Sequence, residues 1–326
     1  MTGILSLFTS AIAFGTIIMY GALGEILTEK AGHLNLGVPG IMYLGGICGL
    51  LPVFFYEGSG GTSKIVCLVM SIICSFLGAA LGGLIYAFLT ITLRANQNVT
   101  GLTLTIFGGG VANFFGGSLN KLSGGVGQVS VALTSSIYRA KIPFLSELGT
   151  VGKLFFSYGF MVYAAILLAL FMAYFLNKTR AGLNLRATGE NPSTADAAGI
   201  NVTVYKYLAT CVGAGVSGLG GLFYVMDYIK GTWANDGIIE GLGWLAVALV
   251  IFTTWKPINA IWGSYLFGFV YWAYLYIPGL TRGSQEIFKM LPYVVTLVVL
   301  IIVSMRKKRE NQPPAALGLS YFREER

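Results

Sequence analysis

Three acidic residues, Glu25, Asp227 and Glu240, fall in long apolar runs. An ionisable group in the middle of a membrane helix costs roughly 2.5–3.5 kcal/mol on insertion scales, so it is rarely idle. Each of the three stands either on a solute pathway or near a helix end, where water and neighbouring loops satisfy it. Asn113 lies deeper in its run and offers an amide to a polar solute. His33 is the chain's one histidine, and Cys48, Cys67, Cys74 and Cys211 each stand singly in apolar sequence. That inventory leaves little room for a Ser-His-Asp or Cys-His catalytic set, and no Cys or His spacing suits a metal. No Gly-x-x-x-x-Gly-Lys-Ser/Thr occurs, and the run Gly124-Gly-Val-Gly127 has neither a preceding strand nor a following Lys-Ser/Thr. The residues point to moving a polar solute rather than converting it.

The elements that carry these residues are membrane helices. Of 326 residues 55% are hydrophobic and 10% charged, with a mean hydropathy of +0.74, against about 25% charged in a soluble domain. The apolar runs cover about residues 4–27, 34–56, 65–93, 99–117, 154–177, 207–229, 237–255, 258–280 and 288–305. At roughly 20 residues per crossing they predict an all-α polytopic bundle of about nine spans, with eight to ten defensible. The second run is interrupted by Gly37, Pro39 and Gly40, which predicts a broken or re-entrant helix. His33, Asn35 and Gly37 lie at the approach to that break. Discontinuous helices leave backbone groups facing a cavity, which makes these three pathway candidates; a re-entrant turn that only packs the bundle is the equal alternative. Many of the 45 glycines recur at four-residue spacing, as at Gly78 and Gly82, Gly213 with Ser217 and Gly221, and Gly237 and Gly241. That spacing brings helix backbones into contact. The start of the chain lacks the basic n-region of a cleavable signal.

Lys and Arg alternate in density from one side of the runs to the other. Lys30, Arg94, Lys178, Arg180, Arg186, Lys256 and the run Arg306-Lys-Lys-Arg309 share the richer side, which the positive-inside rule assigns to the cytoplasm together with the C-terminus. Anionic lipid suffices to explain the net charge of +8, and no basic face with interleaved aromatics suggests nucleic acid. The expected organisation is a transmembrane domain over residues 1–305, with an outer connection at about 118–153 and an inner loop at about 178–206. A solvated cytoplasmic tail is expected over 306–326, with partial order as the alternative. Tyr265, Phe267, Phe269, Tyr271, Trp272, Tyr274 and Tyr276 could stack a flat ring, although aromatics gather at membrane interfaces in any case.

The inner loop carries the most specific local pattern. Asn191 suits a helix N-cap, Pro192 the first helical position, and Gly199 the left-handed residue just past the end. The pattern predicts a short capped helix beginning at Pro192, with Arg186 and Glu190 ahead of it and Asp196 within it. Such a helix either receives a push from a cytoplasmic partner or packs on its own bundle.

The stretch Arg186-Ala-Thr-Gly-Glu-Asn-Pro-Ser-Thr-Ala-Asp-Ala-Ala-Gly-Ile-Asn-Val closely resembles the coupling loop of ATP-binding-cassette importer permeases of the sugar, nucleoside and branched-chain amino-acid group. Glu29-Lys-Ala-Gly-His-Leu-Asn-Leu-Gly-Val-Pro-Gly-Ile-Met42 and Arg94-Ala-Asn-Gln-Asn-Val-Thr-Gly101 resemble segments of the ribonucleoside and simple-sugar branch, with Pro39 where an acidic residue is expected. The resemblance implies the smaller of two permease chains in the cell membrane. Its partners would be a second permease, an external substrate-binding lipoprotein and a cytoplasmic ATPase that uses ATP and Mg, while this chain binds no cofactor. It assigns ATPase coupling to Arg186, Glu190, Asn191, Pro192, Asp196, Ala198 and Gly199. Nucleoside is the favoured solute and simple sugar the alternative. An ion-coupled transporter working alone is a third reading, which the capped helix disfavours.

Overall fold

The structure, a computed structural model, describes residues 2–118, 121, 129–141, 149–234, 237–277, 279, 281–306 and 311–322. The run Gly124-Gly-Val-Gly127, much of the outer connection and the basic residues 307–309 lie outside them. In chain order the helices are α1 (Thr2–Lys30), α2 (Val38–Gly58), α3 (Lys64–Ala87), α4 (Gln97–Asn113), the short α5 (Ala132–Tyr138) and α6 (Gly149–Phe155), and α7 (Phe160–Lys178). They continue with α8 (Arg180–Glu190), α9 (Pro192–Ala197), α10 (Val202–Phe223), α11 (Ile238–Phe252), α12 (Pro257–Ala273), α13 (Arg282–Lys289) and α14 (Leu291–Arg306). Three of them, α3, α4 and α10, run on as wider π turns over Phe88–Thr92, Phe114–Ser118 and Tyr224–Tyr228.

Each apolar run of the sequence becomes a helix, and among the described residues seven helices are long and apolar enough to cross a membrane, with α13 and α14 together making the last. The two runs below that length are α11 and α12, of 15 and 17 residues. The turn between them is held tight by Thr254 and Trp255, both non-glycine residues at positive φ. The interruption foreseen in the second run falls at its entrance: residues 31–37 form an irregular turn, Gly37 caps α2, and the helix then continues through Pro52 to Gly58.

Small residues set the spacing at the centre. A Cβ on Gly24 of α1 would collide with the Gly213 carbonyl and Ser217 of α10, one on Gly45 of α2 with the Gly218 backbone, and one on Gly221 with the Met42 carbonyl. Ser217 Oγ donates to the Gly21 carbonyl at 3.0 Å across the α1–α10 seam. Gly78 and Gly82 meet Cys48 and Leu44 of α2 as the four-residue spacing predicts, whereas Gly237 and Gly241 face open space. Gly237 instead supplies the left-handed residue (φ 72°) ahead of α11.

The aromatic set of α12 is drawn into packing. Tyr271 stacks on Phe14 with ring centroids 4.2 Å apart, Phe267 meets Phe252 at 5.0 Å, and Tyr276 shares a 2.8 Å hydrogen bond with Ser6. At the end of the bundle away from Lys30, Glu57 caps α5: its Oε1 accepts from Thr134 N at 2.8 Å and from Thr134 Oγ1 at 2.6 Å. Beside it residues 129–131 pair with 231–233, Val131 N donating to Gly231 O and Trp233 N to Val129 O, each at 2.9 Å.

The tail is partly ordered and partly exposed over its described residues. Residues 311–322 are docked on the Lys30 end: Ala316 N donates to Gly189 O at 3.0 Å, Gly318 N to Gly32 O at 3.3 Å, and Lys256 Nζ to Asn311 Oδ1 at 2.8 Å. Backbone carbonyls left open by the 31–37 turn and by the end of α8 supply the acceptors, which the composition of a polar tail does not reveal.

Candidate functional site

The inner loop is two helices. Thr179 starts α8, its Oγ1 accepting from Gly182 N at 3.0 Å, and Asn191 ends α8 and starts α9. Asn191 Oδ1 accepts from Thr194 N at 3.0 Å, with Pro192 in the first turn, where its missing N–H is not needed. The end of α9 closes by Gly199 N to Asp196 O at 2.9 Å and Ile200 N to Ala195 O at 3.0 Å, with Gly199 at φ 83°. Asn201 then caps α10 by accepting from Val204 N at 3.1 Å. Consecutive caps at 179, 191 and 201 hold α8, α9 and α10 as one jointed element; the sequence reading had the second and missed the first, so α8 went unrecognised.

Ala195 is the buried anchor of α9, whereas Ser193, Thr194, Ala197, Ala198 and Gly199 face outward. The remaining residues assigned to coupling divide between two cavities. Arg186 and Glu190 line one of about 780 Å³ with Lys30, Trp255 and Lys256. Asp196 and Gly199 line another of about 350 Å³. Each acid touches the tail, Glu190 Oε2 accepting from Ala315 N at 3.4 Å and Asp196 Oδ2 from Tyr321 OH at 2.9 Å.

The approach to α2 is a bonded turn. Leu34 N donates to Gln97 Oε1 at 2.9 Å and Leu34 O accepts from Tyr86 OH at 2.5 Å. Asn35 N donates to Glu25 Oε1 at 3.0 Å, and Asn35 Oδ1 accepts from Gly37 N at 2.9 Å. Asn35 and Gly37 thus use these polar groups within the turn. His33 sits edge-on to Tyr86 at 6.1 Å, with Nδ1 3.5 Å from Thr210 Oγ1, and opens on the 350 Å³ cavity. Burial, with the Lys206 ammonium nearby, pushes its imidazole down to about 3, so the ring is neutral.

The other pathway candidates lie elsewhere. Asn113 Oδ1 accepts from Trp233 Nε1 at 3.3 Å, and the Trp233 ring lies 6.3 Å from Tyr43. Asp227 lines a cavity of about 450 Å³ with Arg139, Lys141 and Tyr158, at the end away from Lys30. Glu240 is exposed on the first turn of α11. Among the described residues His33 and Asp227 line two separate cavities, and the six candidates gather at neither. Sequence reasoning missed the partner of Glu29, which is Trp255 Nε1, and the buried Lys206; the four-residue spacing of Glu25 and Glu29 on one face of α1 was the available signal. Among the described residues no three His, Cys, Asp or Glu side chains gather as metal ligands.

The family model described as "Branched-chain amino acid transport system / permease component" matches residues 7–300. The chain is 32% identical to "Nucleoside ABC transporter permease protein NupC" of Lactococcus lactis subsp. cremoris, over 89% of this chain and 90% of that one. It is 30% identical to "Guanosine ABC transporter permease protein NupQ" of Bacillus subtilis, over 99% and 98% of the two chains. It is also 30% identical to "Putative glucose ABC transporter permease protein TsgC13" of Haloferax volcanii, over 98% of each. No solved structure matches the chain.

Proposed function

Because the chain belongs to the branched-chain amino acid transport system permease family, as a multi-pass ABC transporter permease of the sugar and nucleoside group, we propose that it carries nucleosides into the cell by alternating access. In this reading it is the smaller of two permease chains in the plasma membrane, with its tail on the cytoplasmic side. A separate ATPase binds and hydrolyses ATP with Mg, and an external lipoprotein delivers the solute. The observation that carries the reading is the capped α9, whose outward face Ser193, Thr194, Ala197 and Ala198 is open while both ends are fixed to α8 and α10. Force on so short a rigid element passes directly into the long α10, which runs through the centre of the bundle. Gly189 packs on the Lys30 carbonyl, giving α8 a second point of contact with α1.

Nucleoside is preferred to simple sugar because two of the relatives are named for nucleoside or guanosine and one for glucose. The test is uptake of radiolabelled ribonucleosides, with ribose and branched-chain amino acids as competitors, in cells with and without the chain. Loss of nucleoside uptake alone supports the proposal. Loss confined to sugar or amino acid keeps the permease and replaces the solute, and uptake unchanged without the cognate ATPase rejects the coupling.

A further inference from the structure

Between α9, the start of α10 and the docked tail lies the cavity of about 350 Å³, lined among others by Arg94, Asn201, Thr203, Lys206 and Tyr321. That volume is at the small end of the roughly 300–1,000 Å³ of small-molecule sites. Lys206, in the second turn of α10, is 2% exposed, and among the described residues no carboxylate comes within 4.0 Å of it. A buried ammonium without a counter-ion is costly unless something anionic comes to it.

The surroundings add to the positive field. The N-terminus of a helix carries about half a positive charge, with its first N–H groups lacking intrahelical partners. Here α10 has no acidic residue in its first turn to offset that charge, and Val202 and Thr203 from that turn line the cavity. Asn201 uses Oδ1 for the cap, which leaves its NH₂ group as a donor. Arg94 also lines the cavity, its guanidinium carbon 4.3 Å from the centre of the Phe322 ring in a cation–π contact, and it brings a second positive charge. The Asp196 carboxylate also lines the cavity and accepts from Tyr321 OH; it keeps its negative charge, which the two cations Lys206 and Arg94 outnumber in the lining. His33 is neutral, and so adds no charge of either sign.

We infer that this cavity binds a phosphate-bearing anion, held by Lys206, the first turn of α10 and Arg94. Several donors converging from different elements suit a group with three or more acceptor oxygens, and helix N-termini are ready sites for phosphate. The phosphate can come from a free phosphate or from the headgroup of an anionic lipid, since both present the same oxygens.

The test uses the full chain in nanodiscs of zwitterionic lipid. Hydrogen exchange of residues 200–204 and 315–322 is followed as inorganic phosphate is titrated, and separately as phosphatidylglycerol replaces part of the bilayer. Slowed exchange with phosphate assigns the free anion, and slowed exchange only with phosphatidylglycerol assigns the lipid headgroup; either supports the site. Lys206→Met should weaken the protection roughly tenfold or more, as expected for loss of one charged hydrogen bond, and Lys206→Arg should restore most of it. Arg94→Gln, at an exposed position, serves as the second variant if Lys206→Met fails to fold, and should also weaken binding. No protection of the wild type by either ligand, or protection of Arg94→Gln and of Lys206→Met as strong as that of the wild type, overturns the assignment.

Discussion

The centre and the flank of the bundle are built on opposite rules. In the spans formed by α1, α2 and α10, 72–78% of the residues in the apolar window are buried within the chain; for the spans of α3 and α4 the share is 28% and 33%, and for the last span 11%. The buried helices meet through Gly24, Gly45, Gly218 and Gly221, and through Ser217. The outer helices present Ile65, Leu81, Ile106, Leu167 and Phe171 to the outside. Lipid tails are as apolar as leucine, so burying a large side chain gains little over leaving it in the bilayer. Helix association must come from close backbone approach, and that requires small residues. Glycine contacts therefore run through the centre and along the inner faces of α3 and α4, where Gly78 and Gly108 meet α2, and the apolar bulk belongs to the outward faces of the flank.

Substitutions at the two kinds of position should differ sharply. The largest effect is expected from Gly221→Leu, whose side chain has no room beside the Met42 carbonyl. Overpacking costs about 1–3 kcal/mol or more, and little folded chain should be recovered from the membrane by size-exclusion chromatography. A normal yield with an unchanged thermal midpoint would break the contrast between centre and flank.

Gly199→Val should have an intermediate, functional effect. Open space surrounds Gly199, but its φ of 83° costs a side chain about 1–2 kcal/mol. The chain should reach the membrane in normal amount while ATP-driven uptake falls, and Asp196→Arg, which also removes the Tyr321 contact, should do the same. Normal uptake by both variants removes the role proposed for α9.

A smaller effect is expected from pH. His33 is held at about 3 when folded against 6.5 as a free side chain, so the unfolded chain binds the extra proton. Its contribution to stability is complete above about 6.5 and declines as pH falls toward about 3. The thermal midpoint of wild type should drop with acidification more steeply than that of His33→Gln; parallel curves would show that His33 charges freely. The smallest effect is expected from Leu81→Ala on the lipid face, below about 0.5 kcal/mol by denaturation in detergent.

Much of the coupling element was legible locally. Asn191, Pro192 and Gly199 each carry a backbone preference that acts within three or four residues, and the helix between them begins and ends where those preferences place it. The helix before it was missed although Thr179 is a cap of the same kind, because its glycine and polar residues resemble a loop when read for hydrophobic period alone. The pathway candidates were chosen for being polar in apolar sequence, and that criterion says nothing about partners. The amide oxygens of Asn35 and Asn113 accept from Gly37 N and Trp233 Nε1, and Asp227 lies at the far end from His33.

The sequence by itself determined the helical class and the set of apolar runs, because lipid forces backbone groups to bond within each segment and the runs must match the bilayer. It also determined the caps of α9, which are local. Only the tertiary structure decided that residues 311–322 close over the end of the bundle, that Glu29 meets Trp255, and that Lys206 is buried beside a cavity. Those pairings join residues far apart in the chain through open backbone carbonyls and buried charges, and no local preference encodes which distant group will meet them.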